Sequence, residues 1–320
     1  THMGQCSASM GKRCMSATAF LFPGQASQAV GMGKDLSEDF PLARQVFEEA
    51  DDTVGFPLSA VCFDGPMEEL SKTSVTQPAV FVHSVVCARL LMGLGVKPVI
   101  VAGHSLGEYS ALVAAGVLDF SVALRLVRFR GELMEVAGAK RPGAMAAILG
   151  VEDQDVVDLC AADEGVVVAA NFNAPGQIVI SGEIDAVARI GSAAAAAGAK
   201  RVVDLPVSGA FHSQLMEPAA QQLAERLGET TFAAPSAPVV TNAGAAAESD
   251  PERLRSLLIE QMTAPVRWTD SVKAVIAAEV DGACEVVPGT VLKGLVRRID
   301  RNLDVRPVGT SQDIAAIAAE

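Results

Sequence analysis

Outside the middle of the chain, short runs of apolar residues alternate with segments of helical spacing. Residues 17–22, which end at Pro23-Gly24, and residues 98–102 are apolar runs of strand length. Such runs are typical of buried strands. Apolar positions three and four apart predict helices over residues 37–53, 77–93, 106–116 and 121–137. Strands that alternate with helices predict a parallel sheet covered on both faces.

The pattern changes between residues 143 and 207. Strands are predicted at 144–149, 166–171, 177–181 and 200–205, and helices at 152–162 and 183–198. This order is βαββαβ, the ferredoxin-like arrangement. The residues Asn-Ala-Pro-Gly at 173–176 supply a strong turn between the two central strands.

The α/β pattern returns after Pro206, with strands predicted at 239–241 and 283–287 and helices at 251–261 and 271–278. The predicted fold class is therefore α/β, with a parallel-sheet core and an inserted ferredoxin-like subdomain. The large catalytic subdomain would comprise residues 17–142 and 208–320, and the small subdomain residues 143–207.

Composition narrows the classes of function. Half of the 320 residues are hydrophobic, but no uninterrupted apolar run approaches the length of a membrane helix, so we expect a soluble protein without a membrane partner. The formal net charge is −13 and no run of five basic residues occurs. Nucleic-acid binding is therefore not expected, although a local basic patch could still bind an acidic protein.

The cysteines and the first residues bear on the location of the protein. The six cysteines, at 6, 14, 62, 87, 160 and 284, include no C-x-x-C pair, so neither a zinc site nor a redox pair is predicted. They indicate reduced thiols of a cytoplasmic protein. Residues 1–16 begin with the sequence of a cloning scar and are predicted to be a scar and a disordered tail. The alternative is the remnant of a transit peptide, which would place the protein in an organelle such as a plastid.

A candidate nucleophile lies where an apolar strand gives way to a helix. Residues 103–107 read Gly-His-Ser-Leu-Gly, which has the G-x-S-x-G form in the strand–turn–helix context that this motif has in hydrolase-like α/β folds. Small neighbours allow the sharp turn that presents the Ser105 hydroxyl above the start of the helix. Backbone N–H groups at that helix end can stabilise a developing oxyanion. An ordinary glycine-rich turn is the alternative interpretation.

A serine hydroxyl needs a base, and the chain offers four histidines. His2 lies in the scar, and His83 lies within an apolar helix as a structural histidine would. His104 is adjacent to Ser105 on the turn and is expected to point elsewhere. His212 follows a predicted strand in a loop of small residues, so elimination favours a Ser105–His212 pair. No acidic residue stands out as a third member, and a backbone carbonyl could orient the imidazole instead.

Several motifs together resemble those of the malonyl-CoA:acyl carrier protein transacylase family of type II fatty acid synthesis. The resemblance extends over about residues 17 to 310. It is carried by residues 22–28 (FPGQASQ), 103–120 (GHSLGEYSALVAAGVLDF), 130–131 (RG), 171–177 (NFNAPGQ), 210–213 (AFHS) and 265–268 (PVRW).

This resemblance implies a role for individual positions. Ser105 would be the acylated nucleophile and His212 its base, and the backbone N–H groups of Gln25 and Leu106 would form the oxyanion hole. The backbone carbonyl of Gln261 would orient His212. Without the resemblance, Gln25 would be interpreted as a loop residue and Gln261 as a helix terminus.

The resemblance also implies a set of substrate-binding residues: Arg130, Phe211 and Asn173. Arg130 would hold the free malonyl carboxylate with its planar guanidinium, although by itself it could be a solvated charge. Phe211 would narrow the acyl pocket. Two positions depart from the family, which usually has glycine where this chain has Ala26 and Val287. The first departure suggests slightly different backbone angles near the oxyanion hole.

The predicted activity is ping-pong transfer of malonyl from coenzyme A to the phosphopantetheine thiol of acyl carrier protein. The expected partners are malonyl-CoA and acyl carrier protein, no metal or other cofactor is required, and the protein is expected to be a monomer. The nearest alternative is a discrete malonyl acyltransferase of a polyketide synthase. A serine hydrolase and a non-catalytic carrier-binding module are more distant alternatives.

Overall fold

The computed structural model describes residues 17–207, 209–286 and 289–320. The strands of this part of the chain are β1 (Thr18–Phe22), β2 (Pro98–Gly103), β3 (Ala144–Leu149), β4 (Val167–Ala174), β5 (Gln177–Gly182), β6 (Arg201–Asp204), β7 (Val239–Val240), β8 (Ala247–Glu248), β9 (Gly282–Val286) and β10 (Val305–Val308). The helices of its first half are α1 (Lys34–Asp39), α2 (Pro41–Val54), α3 (Leu58–Asp64), α4 (Met67–Leu70), α5 (Thr73–Gly93), α6 (Gly107–Ala114) and α7 (Phe120–Lys140). The later helices are α8 (Asp153–Ala162), α9 (Ile184–Ala196), α10 (Glu217–Gly228), α11 (Pro251–Glu260), α12 (Trp268–Ala277), α13 (Val291–Ile299) and α14 (Ser311–Ala318), with a 3-10 turn at Gln214–Met216.

The larger sheet has the strand order β10-β9-β1-β2-β7-β8, and all its pairs are parallel except β7–β8. Strand β1 lies in the interior of this sheet and is buried along its whole length. Phe22 at the end of β1 pairs with Gly103 at the end of β2. The segments that follow these two strands therefore leave the sheet side by side, which brings Gln25 and Ser105 to the same edge.

The smaller sheet is antiparallel, with the order β4-β5-β3-β6, and it packs against α8 and α9 around its own apolar core. This is the predicted ferredoxin-like subdomain on an α/β core, and the fold class is confirmed. The subdomain is joined to the rest of the chain beside the site. The N–H of Phe172 donates to the carbonyl of Val266, whose own N–H donates to Ala170. The division of the chain at 142 and 208 stays a prediction.

Helix α5 runs through the middle of the large subdomain and packs against α7. It is the one described helix that is long and apolar enough to cross a membrane, and 89% of its apolar window is buried inside the protein. Helices of protein cores pass the same test of length and composition. Its burial on all sides explains why the sequence shows a nearly continuous apolar segment there.

Several predicted elements differ from those observed. The helix predicted over 37–53 is two helices, because Phe40 is extended and Pro41 occupies the first position of α2. Strand β4 continues to Ala174, so the turn is shorter than predicted and consists of Pro175 and Gly176. The sequence analysis also missed a set of short or polar elements: α3, α4, α10, α13, α14, β8 and β10.

Candidate active site

Ser105 occupies a sharp turn between β2 and α6, with a φ of 51°. Two glycines make the turn possible. A Cβ at Gly103 would lie 2.0 Å from the backbone of Gly107, and a Cβ at Gly107 would lie 2.0 Å from the carbonyl oxygen of Phe22. Since no side chain fits at either position, the glycine spacing in the sequence is required by the close approach of three backbone segments.

His212 also has a positive φ, 57°, and its imidazole meets the serine. Its Nε2 lies 2.8 Å from Ser105 Oγ. Its Nδ1 lies 3.0 Å from the carbonyl oxygen of Gln261 and 3.1 Å from that of Ala264. Because both partners of Nδ1 are acceptors, Nδ1 carries the proton and Nε2 presents its lone pair to the hydroxyl.

The surroundings of His212 favour its neutral form. Burial, and secondly the positive charge of Arg130, lower the pKa of His212 to about 3. The side chain is 4% exposed. The imidazole is therefore neutral at pH 7, which is the form that can accept the serine proton.

Arg130 reaches the same point from α7 and is 1% exposed. Its Nη2 donates to Ser105 Oγ at 3.0 Å and to Gln261 Oε1 at 3.1 Å, and its Nη1 donates to Gln77 Oε1 at 2.7 Å. The guanidinium also lies 5.7 Å from the ring centre of Tyr109. A buried cation held by neutral groups is suited to an anionic ligand.

Two backbone N–H groups beside the serine are available for an oxyanion. Leu106 precedes α6, and Gln25 lies in the turn after β1. In the part of the chain that the structure describes, neither N–H has a hydrogen-bond acceptor. Ala26 has a φ of 74°, a left-handed conformation that favours glycine. The slightly different backbone angles suggested for this departure stay a prediction. The other departure, Val287, lies outside the described residues.

The remaining predicted residues surround this centre. Phe211 is buried in the large apolar core beside His212, and its ring lies where a Cβ of Gly209 would be. Asn173 Oδ1 lies 2.7 Å from His104 Nε2 and accepts its N–H. His104 thus points away from Ser105 Oγ and toward β4, as its place on the turn suggests. His83 is fully buried in α5.

Sequence reasoning missed three polar residues that hold the centre together: Gln77, Glu108 and Asn242. Gln77 binds Arg130. Asn242 Oδ1 accepts the N–H of Ser105 at 2.6 Å, and its Nδ2 donates to the carbonyl of Gly103. Glu108 accepts from Asn242 and Gln261. Glu108 lies within the 103–120 motif. Its position in that motif was the one signal in the sequence that could have pointed to any of these three residues.

Within residues 17–207, 209–286 and 289–320, no group of three or more His, Cys, Asp or Glu side chains could hold a metal ion. Four cysteines, Cys62, Cys87, Cys160 and Cys284, are free and buried. Cys6 and Cys14, like the predicted tail, lie outside the described residues. The groups that meet at Ser105 Oγ are the imidazole of His212 and the guanidinium of Arg130.

Comparison with known proteins supplies relatives for this arrangement. Residues 19–311 match the model of the family described as "Acyl transferase domain". The chain is 46% identical over 305 residues to the malonyl CoA-acyl carrier protein transacylase of Escherichia coli K12, covering 94% of this chain and 99% of that one. It is 44% identical over 303 residues to the protein of the same name from Bacillus subtilis 168, covering 94% and 96%.

Solved structures give the same result. An acyl carrier protein S-malonyltransferase from Vibrio cholerae matches with a TM-score of 0.90 at 46% identity, covering 94% of this chain and 100% of that chain. A malonyl-transacylase in complex with a type II PKS acyl-carrier protein matches with a TM-score of 0.91 at 44% identity, covering 95% and 99%. The likeness therefore extends over nearly the whole of each chain.

Proposed function

This chain belongs to the acyl transferase family and transfers malonyl from coenzyme A to acyl carrier protein, and we propose that the transfer passes through an ester on Ser105. One observation carries this proposal. Ser105 Oγ lies between His212 Nε2, 2.8 Å away, and Arg130 Nη2, 3.0 Å away. A hydroxyl so placed has a base for its proton and a cation for an acyl group that ends in a carboxylate.

The first half of the reaction acylates the serine. His212 Nε2 takes the hydroxyl proton as Ser105 Oγ attacks the thioester carbonyl of malonyl-CoA, and the tetrahedral oxyanion accepts from the N–H groups of Gln25 and Leu106. The intermediate then expels the thiolate of coenzyme A. This thiolate takes the proton from His212, which leaves the malonyl ester and free coenzyme A.

The second half reverses the roles. His212 Nε2 takes the proton of the phosphopantetheine thiol, and the sulfur attacks the ester carbonyl in the same oxyanion hole. The intermediate expels Ser105 Oγ, which regains the proton from His212. The carbonyls of Gln261 and Ala264 accept from Nδ1 throughout and keep the ring in one orientation.

Arg130 selects the acyl group in this proposal. The malonyl carboxylate would take the place that Ser105 Oγ occupies at Nη2 while the bond from Nη2 to Gln261 Oε1 is kept, and the guanidinium can pair with both carboxylate oxygens. Phe211 closes the neighbouring apolar wall and would disfavour a branched acyl group such as methylmalonyl. A simple ester hydrolase has no use for a buried arginine at its nucleophile, so hydrolysis is the weaker candidate.

The carrier protein could belong to fatty acid or to polyketide synthesis. The complex of a similar malonyl-transacylase with a type II PKS acyl-carrier protein supports the second possibility as an alternative. We propose the fatty acid carrier because the motifs of this chain, among them residues 103–120 and 210–213, resemble those of the transacylases of type II fatty acid synthesis. A soluble, cytoplasmic, monomeric enzyme without a cofactor remains part of this proposal.

Intact-mass measurement after incubation with malonyl-CoA tests the serine ester. The wild type should gain one malonyl group, and Ser105→Ala should gain none. Ser110→Ala is the matched control, because Ser110 is a buried serine in α6, the helix that follows Ser105. An adduct of unchanged yield in Ser105→Ala would remove Ser105 from the mechanism. Loss of the adduct in Ser110→Ala alone would do the same.

A further inference from the structure

A buried carboxyl group lies three residues beyond the nucleophile, on the first turn of α6. Glu108 is 1% exposed, and its Oε2 accepts two N–H groups. One is Gln261 Nε2 at 2.9 Å, and the other is the backbone N–H of Asn242 at 3.0 Å. Among the described residues, the other oxygen, Oε1, has no partner. This side chain touches neither Ser105 Oγ nor His212, so the proposed mechanism leaves it without a task.

The hydrogen bonds of Gln261 show what Glu108 does. The Gln261 amide donates through Nε2 to Glu108 Oε2 and to the backbone carbonyl of Ser105, both at 2.9 Å. Its Oε1 is then left to accept from Arg130 Nη2 at 3.1 Å. A flipped amide would set Oε1 against two acceptors and its NH₂ against a guanidinium, so the observed orientation is the one with every group matched.

Gln261 joins two parts of the proposed mechanism. Its backbone carbonyl accepts from His212 Nδ1, and its side chain accepts from Arg130. The residue lies at the C-terminal end of α11, where the helix itself fixes the backbone but leaves the side chain free to rotate. The two acceptors of its Nε2, Glu108 Oε2 and the Ser105 carbonyl, limit that rotation, and of the two only Glu108 is a side chain.

We propose that Glu108 is a positioning residue: it fixes the amide of Gln261, and Gln261 in turn aims Arg130 at the acyl carboxylate. This inference rests on the proposed malonyl transfer. Its consequence is that substrate selection depends on a carboxyl group that no substrate contacts. The role differs from that of a triad acid, because Glu108 bonds to the partner of the arginine and not to the base.

The proposal needs an acceptor at this position and not a negative charge. Burial raises the pKa of Glu108 to about 7, and the hydrogen bonds of Gln261 and Asn242 and the charge of Arg130 oppose that rise. Either ionisation state leaves Oε2 able to accept. Glutamine, whose amide oxygen can replace Oε2, should therefore substitute for Glu108, whereas alanine should not.

The test compares kcat/KM for malonyl-CoA and acetyl-CoA in the full chain. Glu108→Ala should lower the malonyl-to-acetyl ratio roughly tenfold to a hundredfold, the contribution of one hydrogen bond to a charged group. Glu108→Gln should stay within about threefold of the wild-type ratio. Glu285→Ala is the matched control, since Glu285 is equally buried and accepts two backbone N–H groups at the start of α13. It should leave the ratio unchanged.

A double-mutant cycle separates positioning from general support of the fold. If Glu108 acts through the Gln261 side chain, Glu108→Ala should change the ratio little in a Gln261→Ala background. Additive losses, an equal loss for both acyl donors, or a Glu108→Gln variant as impaired as Glu108→Ala would each overturn the proposal. If Glu108→Ala does not fold, Gln261→Leu breaks the same link from the other side, and an unchanged ratio in that variant also overturns it. A wild type that transfers no malonyl refutes the proposed function instead.

Discussion

Two buried histidines occupy very different surroundings in this molecule. His212, in the loop before α10, is 4% exposed, and His83, in the middle of α5, is fully buried. Both ring nitrogens of His212 have oxygen partners. His83 Nδ1 lies 3.8 Å from Cys87 Sγ, and its Nε2 makes no hydrogen bond of ordinary geometry among the described residues, although the backbone of Gly309 lies near the ring.

The pKa values of the two side chains do not reveal this difference. Burial lowers the pKa of His83 to about 4, although Asp35 and the backbone of Gly309 raise it. Burial and Arg130 lower that of His212 to about 3. A lowered pKa therefore marks any buried histidine, and the hydrogen-bond partners distinguish a base from a packing residue.

The largest effect should come from removing each imidazole in turn. His212→Ala should slow formation of the malonyl-enzyme by roughly two to four orders of magnitude, the usual contribution of a general base. His83→Gln, with the fold verified by circular dichroism, should slow it less than tenfold because no atom of His83 contacts the serine. Rapid-quench mass spectrometry measures both rates. A larger loss in His83→Gln would reverse the assignment.

The second largest effect should come from removing Arg130, whose positive charge acts on the pKa of His212. Arg130→Ala should lower the malonyl-to-acetyl ratio of kcat/KM by on the order of 10²–10⁴-fold, which corresponds to about 3–5 kcal/mol, because a buried carboxylate loses its partner. Arg128→Ala is the matched control on the same helix, since Arg128 is partly exposed and pairs with Glu132. If Arg130→Ala left the ratio unchanged, another group would bind the carboxylate.

The third prediction uses pH to isolate His83. Its pKa is 6.5 in the unfolded chain and about 4 in the folded one, so the folded state binds fewer protons and the free energy of unfolding falls as pH drops from about 6.5 toward 4. Between pH 7.5 and pH 5 this group alone should cost about 2 kcal/mol. Urea denaturation of the wild type and of His83→Gln at both pH values measures this contribution. The loss of free energy of unfolding between the two pH values should be smaller in the variant by about 2 kcal/mol. Equal losses would mean that His83 is not held neutral.

The smallest effect should come from changing Asn173, the hydrogen-bond partner of a third histidine, His104. The surroundings of His104 are intermediate between those of His212 and His83, because one of its nitrogens is bonded to Asn173 and burial lowers its pKa. Asn173→Ala should raise the KM for malonyl-CoA by less than about tenfold and leave kcat unchanged, as expected for a group that binds substrate and transition state equally. A fall in kcat comparable to that of His212→Ala would place Asn173 in the chemistry.

The sequence predicted those features that depend on local patterns. The glycines around Ser105 and the elimination of three histidines led to the Ser105–His212 pair that the structure places at 2.8 Å. Helical spacing located α5 and α7 to within a few residues. Short elements such as α3 and α4 lack enough residues to show a period, and the break at Phe40 depends on a single proline.

The supporting polar residues were beyond sequence reasoning for a different reason. Asn242 is 137 positions from Ser105, and Gln261 is 153 from Glu108. Their side chains are ordinary in isolation and acquire a role only through the fold. Asn173 was assigned to substrate binding from the family motif alone, which could not show its bond to His104.

Among the described residues, His212 Nδ1 is bonded to two backbone carbonyls and to no carboxylate, which affects the net charge of the reacting groups in the proposed mechanism. When His212 accepts the serine proton, the imidazolium and Arg130 are two positive charges near one oxyanion, because the carbonyls of Gln261 and Ala264 are neutral. Counted over the imidazolium, Arg130, the oxyanion and the acyl group alone, without Glu108, a malonyl group brings the second negative charge and makes the sum zero, whereas an acetyl group leaves an excess of one positive charge at the moment of bond formation. We therefore expect a preference for a carboxylate-bearing acyl group to be expressed in kcat as well as in KM, since its second negative charge balances the second of these two cations.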